Sequence, residues 1–152
     1  MQKGFATLEI ILSTLIIVLL MTVAIPNANR VADKIALDYE AKKLYTDLRF
    51  LQSFDRMTNM RDIYFYLADD QSVRLVVYPN RYVFEKNSLS FIYSEHYFSN
   101  GVKANKTKTV NFNDMGKIIP ATSDTLYLTS RHGKKISIAF DTVGRFRCKR
   151  GE

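Results

Sequence analysis

Two stretches of the 152-residue chain place charged side chains where they need a partner. In Phe5-Ala6-Thr7-Leu8-Glu9 a single carboxylate enters an apolar run that continues to Ile25, with no charge from Ile10 onward. An acid at the centre of a membrane helix is unfavourable by roughly 2.5–3.5 kcal/mol. Glu9 therefore calls for a cation that meets it in the same apolar setting. In Gly144-Arg145-Phe146-Arg147, alternation along a strand sends both guanidiniums to one face and Phe146 to the other. A guanidinium is a planar donor fork that suits phosphate oxygens. Arg131, Lys134, Lys135, Lys149 and Arg150 extend the charge. A bland alternative is a charged edge strand that discourages aggregation.

The wider charge distribution sharpens the second signal. The chain carries +7, and residues 99 to 152 supply all of it with 11 basic against 4 acidic side chains. Such asymmetry points to an anionic partner. The bland reading of the same asymmetry is solubility. Enzyme chemistry finds no support. His96 and His132 lie in no motif and read as surface or loop histidines, and no spacing suggests a metal site or a cofactor. Cys148 stands between Arg147 and Lys149, neighbours that would lower its pKa, but no base or oxyanion site accompanies it.

The elements that must position these residues follow from periodicity. Phe5 to Ile25 spans 21 residues, near the length that crosses a bilayer as a helix. Lys3 supplies a short positive flank that keeps its start cytoplasmic. A cleaved secretory signal fits poorly, since no small-x-small site follows the apolar run. Pro26 bends the helix rather than ending it. Beyond it Leu37, Ala41, Leu44, Leu48 and Leu51 form an apolar stripe, predicting a helix to about Met57 with a break near Thr58-Asn59. From Asp62 the pattern turns to strands. They are expected at Ile63–Leu67, Val73–Tyr78, Arg81–Glu85, Leu89–Tyr93, Thr109–Phe112, Thr125–Leu128, Lys135–Phe140 and Arg145–Cys148. The expected class is α+β: one long helix packed on an antiparallel sheet, with Asn100 to Lys108 as a mobile loop.

At its start the chain resembles a type IV prepilin with a class III signal. The resemblance lies in Gly4-Phe5-Ala6-Thr7-Leu8-Glu9, after a very short basic leader and before an apolar helix. It implies cleavage after Gly4 by a prepilin peptidase and methylation of the new N-terminus at Phe5. Glu9 would then be the fifth mature residue, and Pro26 the kinking proline. The resemblance also implies the missing cation: the free amine of one Phe5 would meet Glu9 of a neighbouring subunit in a filament core. Residues 1–4 would be the leader, 5–29 the transmembrane and filament-core helix, and 30–152 the head of a lollipop-shaped pilin. The last forty residues, from Phe112-Asn113-Asp114-Met115-Gly116 to Val143-Gly144-Arg145, resemble H-type pseudopilins of type II secretion and competence minor pilins. In some competence pilins a Gly-Arg-x-Arg near the C-terminus is implicated in DNA binding, which here matches Gly144, Arg145 and Arg147.

The implied protein is a minor pilin or pseudopilin in the cytoplasmic membrane, with its head outside the cytoplasm, later part of a pilus or pseudopilus in the periplasm or at the surface. Its partners would be other pilins, the peptidase, the membrane and DNA taken up in natural transformation. A subunit that primes a secretion pseudopilus without binding DNA is the alternative. A signal-anchored surface protein that never polymerises is a third reading.

Overall fold

The computed structural model describes residues 2–61, 73–86, 92–113, 115–119, 123–141 and 143–151; side chains are described for 8–53 of the helix and for all strand positions except 86, 92 and 93. Helix α1 runs Gln2–Arg61 without a break at Pro26. It passes the sequence-predicted end at Met57 by four residues. From Leu8 to Ala32 its side chains are exposed on every side. This is the one helix among the described residues that is long and apolar enough to cross a membrane. From Ile10 to Ile25 the bare stem follows from composition: a stretch that is hydrophobic all round has no polar face to turn to water.

The second half of α1 is amphipathic in the way the stripe requires. Leu37, Ala41, Leu44, Leu48 and Leu51 are all 3% exposed or less. Burying each leucine stabilises the head by about 1.5–3 kcal/mol. Two polar residues share that stripe: Glu40 is fully buried and Gln52 nearly so.

Among the described residues nine strands follow: β1 Val73–Val77, β2 Arg81–Lys86, β3 Ile92–Tyr97, β4 Lys103–Ala104, β5 Lys108–Phe112, β6 Ile118–Ile119, β7 Asp124–Thr129, β8 Lys135–Phe140 and β9 Phe146–Arg150. They form two antiparallel sheets rather than one, ordered β3-β2-β1-β5-β6 and β4-β7-β8-β9. Both contribute to one core with α1, through Leu75, Val77, Val110, Leu126, Leu128, Ile138 and Phe146. β8 keeps its predicted bounds, and the other predicted strands that fall on described residues shift at one end or both. The predicted Leu89–Tyr93 strand meets β3 at 92 and 93, its first three residues lie outside the described residues and β3 runs on to Tyr97; Arg145 belongs to a turn, so the last strand begins at Phe146. Residues 100–108 are not simply a loop: β4 joins the second sheet, and Val102 and Ala104 are buried. The predicted strand Ile63–Leu67 lies outside the described residues.

Three turns share one construction. In 113–117, 130–134 and 141–145 the first residue's N–H donates to the fifth residue's carbonyl, at 2.8–2.9 Å, and the fourth residue is glycine. Gly116, Gly133 and Gly144 have φ of 70°, 82° and 83°. A three-residue hairpin loop ending in a left-handed residue needs that conformation, which glycine adopts without steric cost. Each glycine is followed by a cation, Lys117, Lys134 or Arg145. The Gly-Arg pair of the C-terminal motif is thus turn geometry first, and it delivers Arg145 to the head of β9.

Candidate functional site

Strand alternation sorts the basic residues. Phe146 is buried against the rings of Tyr45, Phe112 and Phe140. Arg147 and Lys149 consequently point the other way, onto the outer face of the four-stranded sheet. Across β8 their register partners are Ala139 and Ser137, and across β7 the next in line are Thr125 and Tyr127. Lys135 and Lys103 extend the same face toward the 130–134 turn, with Thr129 between them. Tyr127 is 41% exposed, while Leu126 and Leu128 on either side are fully buried. Among the described residues the rows from Lys103 to Arg147 hold no carboxylate, and Asp141 follows β8 at the Arg145 end.

The remaining cations fall into three places. Arg145 is exposed in its turn, with Asp141 3.5 Å away, too distant to hold it firmly. Arg131 and Lys134 are exposed in the turn at the opposite end of β8. Arg150 lies on the helix side of β9 instead, donating from Nε and Nη2 to the two carboxylate oxygens of Asp38 at 3.2 and 2.8 Å. The two-point contact ties the end of β9 to α1. A second tie joins His132 to Asp33. Lys103, Tyr127 and Ser137 were not singled out from the sequence. Their signal was available only once β7 and β8 were registered against β9.

Cys148 also differs from its sequence reading. It lies on the helix side of β9 with Phe146 but stays exposed, and partial burial together with the nearby Asp38 carboxylate pushes its thiol up, outweighing Arg150. A raised thiol is a poor nucleophile.

A second polar cluster sits where α1 meets the first sheet. Glu40 accepts from the backbone N–H and hydroxyl of Ser99, at 3.0 and 2.6 Å, and from His96 Nε2 at 2.7 Å. Lys43 Nζ lies 3.1 Å from His96 Nδ1. An ammonium only donates, so Nδ1 accepts and the ring proton sits on Nε2, facing Glu40. His96 is therefore a bridge between sheet and helix rather than a surface histidine. Burial raises the Glu40 pKa, but the hydrogen bonds from Ser99 and His96 outweigh it and the net shift is downward. Beside this cluster a cavity of about 480 Å³ is lined by Lys43, Asp47, Tyr82, Phe84 and His96 among others. Tyr82 donates its hydroxyl to Asp47 across it.

At the other end of the chain, Gly4 and Phe5 lie in the first turns of α1. Glu9 projects from the bare part of the helix, and Pro26 is embedded in it.

No protein-family model and no curated sequence matches the chain. Among solved structures, two crystal forms of the Pseudomonas aeruginosa PAO1 type IV minor pilin FimU are similar. The first has a TM-score of 0.53 at 12% identity, covering 74% of this chain and 91% of that one. The second has a TM-score of 0.55 at 14% identity, covering 74% and 87%. A long N-terminal helix packed on antiparallel sheets, shared over that extent, gives this chain the α+β lollipop fold of type IV pilins.

Proposed function

We propose that the chain is a minor pilin-type subunit, made as a membrane precursor, cut after Gly4, methylated at Phe5 and built into a type IV-like filament. The observation that carries this reading is the stem: 25 consecutive helical positions, 8–32, with nothing packed on them, joined to a head of pilin fold. Such a stem finds its cover in lipid before assembly and in neighbouring stems afterwards. Glu9 is costly in lipid and is satisfied by the amine of an adjacent processed chain, so the pair sets the axial register between subunits.

The finer reading is that the filament-borne head binds DNA for natural transformation through the cationic outer face of β4-β7-β8-β9. Arg147, Lys149 and Lys135 supply the phosphate contacts, with Arg145, Arg131 and Lys134 at its two ends. Arg150 has the structural task of holding β9 to Asp38. That pair is also the observation that favours the competing reading, a secretion pseudopilus subunit whose cationic tail is structural. The double variant Arg147→Glu/Lys149→Glu, expressed in the source cell, tests the choice. Transformation lost with the subunit still present in sheared filaments supports the DNA reading. Transformation unchanged, with the variant in the filament, overturns it.

A further inference from the structure

On the outer face of the second sheet, β8 presents Lys135 at one end and then two small side chains, Ser137 and Ala139, both half-buried. On one side of them β9 raises Lys149 and Arg147, on the other β7 raises Tyr127 and Thr125. The register aligns these in rows: Tyr127, Ser137 and Lys149 in one, Thr125, Ala139 and Arg147 in the next. The face is therefore a trough with a low floor, a cationic wall and a wall carrying one exposed aromatic ring. Strands that flank a third are about 9.6 Å apart, twice the interstrand spacing. That width admits a single extended chain between the walls and is too narrow to seat a duplex.

The backbone of Tyr127 is fixed where no strand partner reaches it. Its N–H donates to Asn105 Oδ1, and its carbonyl accepts from the Asn105 N–H, each at 2.9 Å. The aromatic wall is thus anchored on both backbone groups.

We infer that this trough binds single-stranded nucleic acid, with phosphates along Arg147, Lys149 and Lys135 and a base stacked on Tyr127. The chemistry fits both halves of a nucleotide. A cationic groove that follows the backbone, with an aromatic platform for bases, is how single strands are held without sequence preference. Charge complementarity alone would also suit a duplex or an anionic lipid surface. The ring placed opposite the cations, across a floor of small residues, favours the single strand. This inference rests on the DNA-binding reading above and narrows it to one strand state and one residue.

The test is fluorescence anisotropy with the full chain in non-ionic detergent. The probes are labelled oligothymidylate of about 15 nucleotides, a duplex of equal length, and detergent-free vesicles of anionic lipid carrying the reconstituted protein as competitor surface. The single strand is expected to bind more tightly than the duplex. Tyr127→Ala should weaken single-strand binding about five- to a hundredfold and leave duplex binding unchanged, while Tyr127→Phe should bind like the parent. Circular dichroism and melting curves matching the parent certify that the variant is folded. Equal binding of both probes, or a Tyr127→Ala chain that binds the single strand as the parent does, overturns the inference while leaving the DNA reading in place. Failure of the parent to bind either probe overturns both, as does binding displaced only by anionic lipid.

Discussion

Gln52 and Gly144 lie 92 residues apart in the chain, yet the Gln52 Nε2 donates to the Gly144 carbonyl at 2.8 Å. The same amide reaches the Gly116 carbonyl at 2.7 Å. One helix side chain thereby fastens the turns that close β5 onto β6 and β8 onto β9. The two turns touch: a Cβ built on Gly144 would lie 2.1 Å from the Gly116 oxygen. Here the C-terminal motif meets the rest of the molecule, and the contact fixes where Arg145 stands.

Gly144→Ala is therefore expected to be among the most damaging small changes in the head. The left-handed backbone costs about 1–2 kcal/mol, and the overlap adds about 1–3 kcal/mol. Gln52→Leu should cost a comparable amount, because two buried carbonyls lose their donor at about 1–3 kcal/mol each. Urea unfolding of the full chain in detergent measures both. A change under about 0.5 kcal/mol, the size expected of an ordinary surface substitution, would contradict the proposed fastening.

Stability should be flat across neutral pH and fall on both sides. Glu40 and Asp124 are held below their ordinary values of 4.5 and 3.8, Glu40 by hydrogen bonds from Ser99 and His96 that outweigh burial, Asp124 by Lys106 and Lys108. A depressed carboxylate contributes stability above its unfolded value and loses it as pH drops through the folded one. Tyr82 is pushed above its ordinary 10.0 by burial and then by Asp47. Its contribution is complete below 10 and fades as pH rises beyond it. Melting temperature between pH 3 and 11 should trace that plateau, and Glu40→Gln should flatten its acid edge. An acid edge unchanged in Glu40→Gln would remove this carboxylate from the account.

Glu9→Gln should leave membrane insertion intact or improve it, since a charge is removed from the apolar stem. Incorporation into filaments should fall sharply, because the register between stems loses its attractive pair. Comparing membrane and sheared fractions by immunoblot gives the answer, and full incorporation of Glu9→Gln would show that no such pair operates.

Salt separates the cations by role. With about four phosphates neutralised, DNA affinity should drop roughly a hundredfold between 50 and 200 mM salt. Arg147→Gln should shallow that slope, whereas Arg150→Gln should leave it alone and cost under about 1 kcal/mol of stability, as exposed pairs do. Equal effects of the two substitutions on the slope would mean that the inner and outer faces of β9 are not distinct.

Periodicity made much of the fold legible. The stripe Leu37 to Leu51 is buried as its spacing requires, and β8 matches its predicted bounds because turn residues flank an alternating run. What stayed hidden was non-local. Glu40 and Gln52 carry no apolar signal, although each stands four positions from a stripe leucine, Leu44 or Leu48, and so shares its face. β4 is two residues long, too short to show a period. Arg150 reads like its neighbours Arg147 and Lys149 until Asp38, 112 residues away, claims its guanidinium. The trough was equally out of reach, since Tyr127 and Lys149 become neighbours only through β8.

The most direct measurement is intact-mass and N-terminal peptide spectrometry of the protein extracted from membranes of cells with a working prepilin peptidase. A chain that begins at Phe5 with a methylated amine is expected, since in the proposed filament that amine neutralises Glu9 of the next subunit. A chain still carrying Met1-Gln2-Lys3-Gly4 would contradict the filament account at its root.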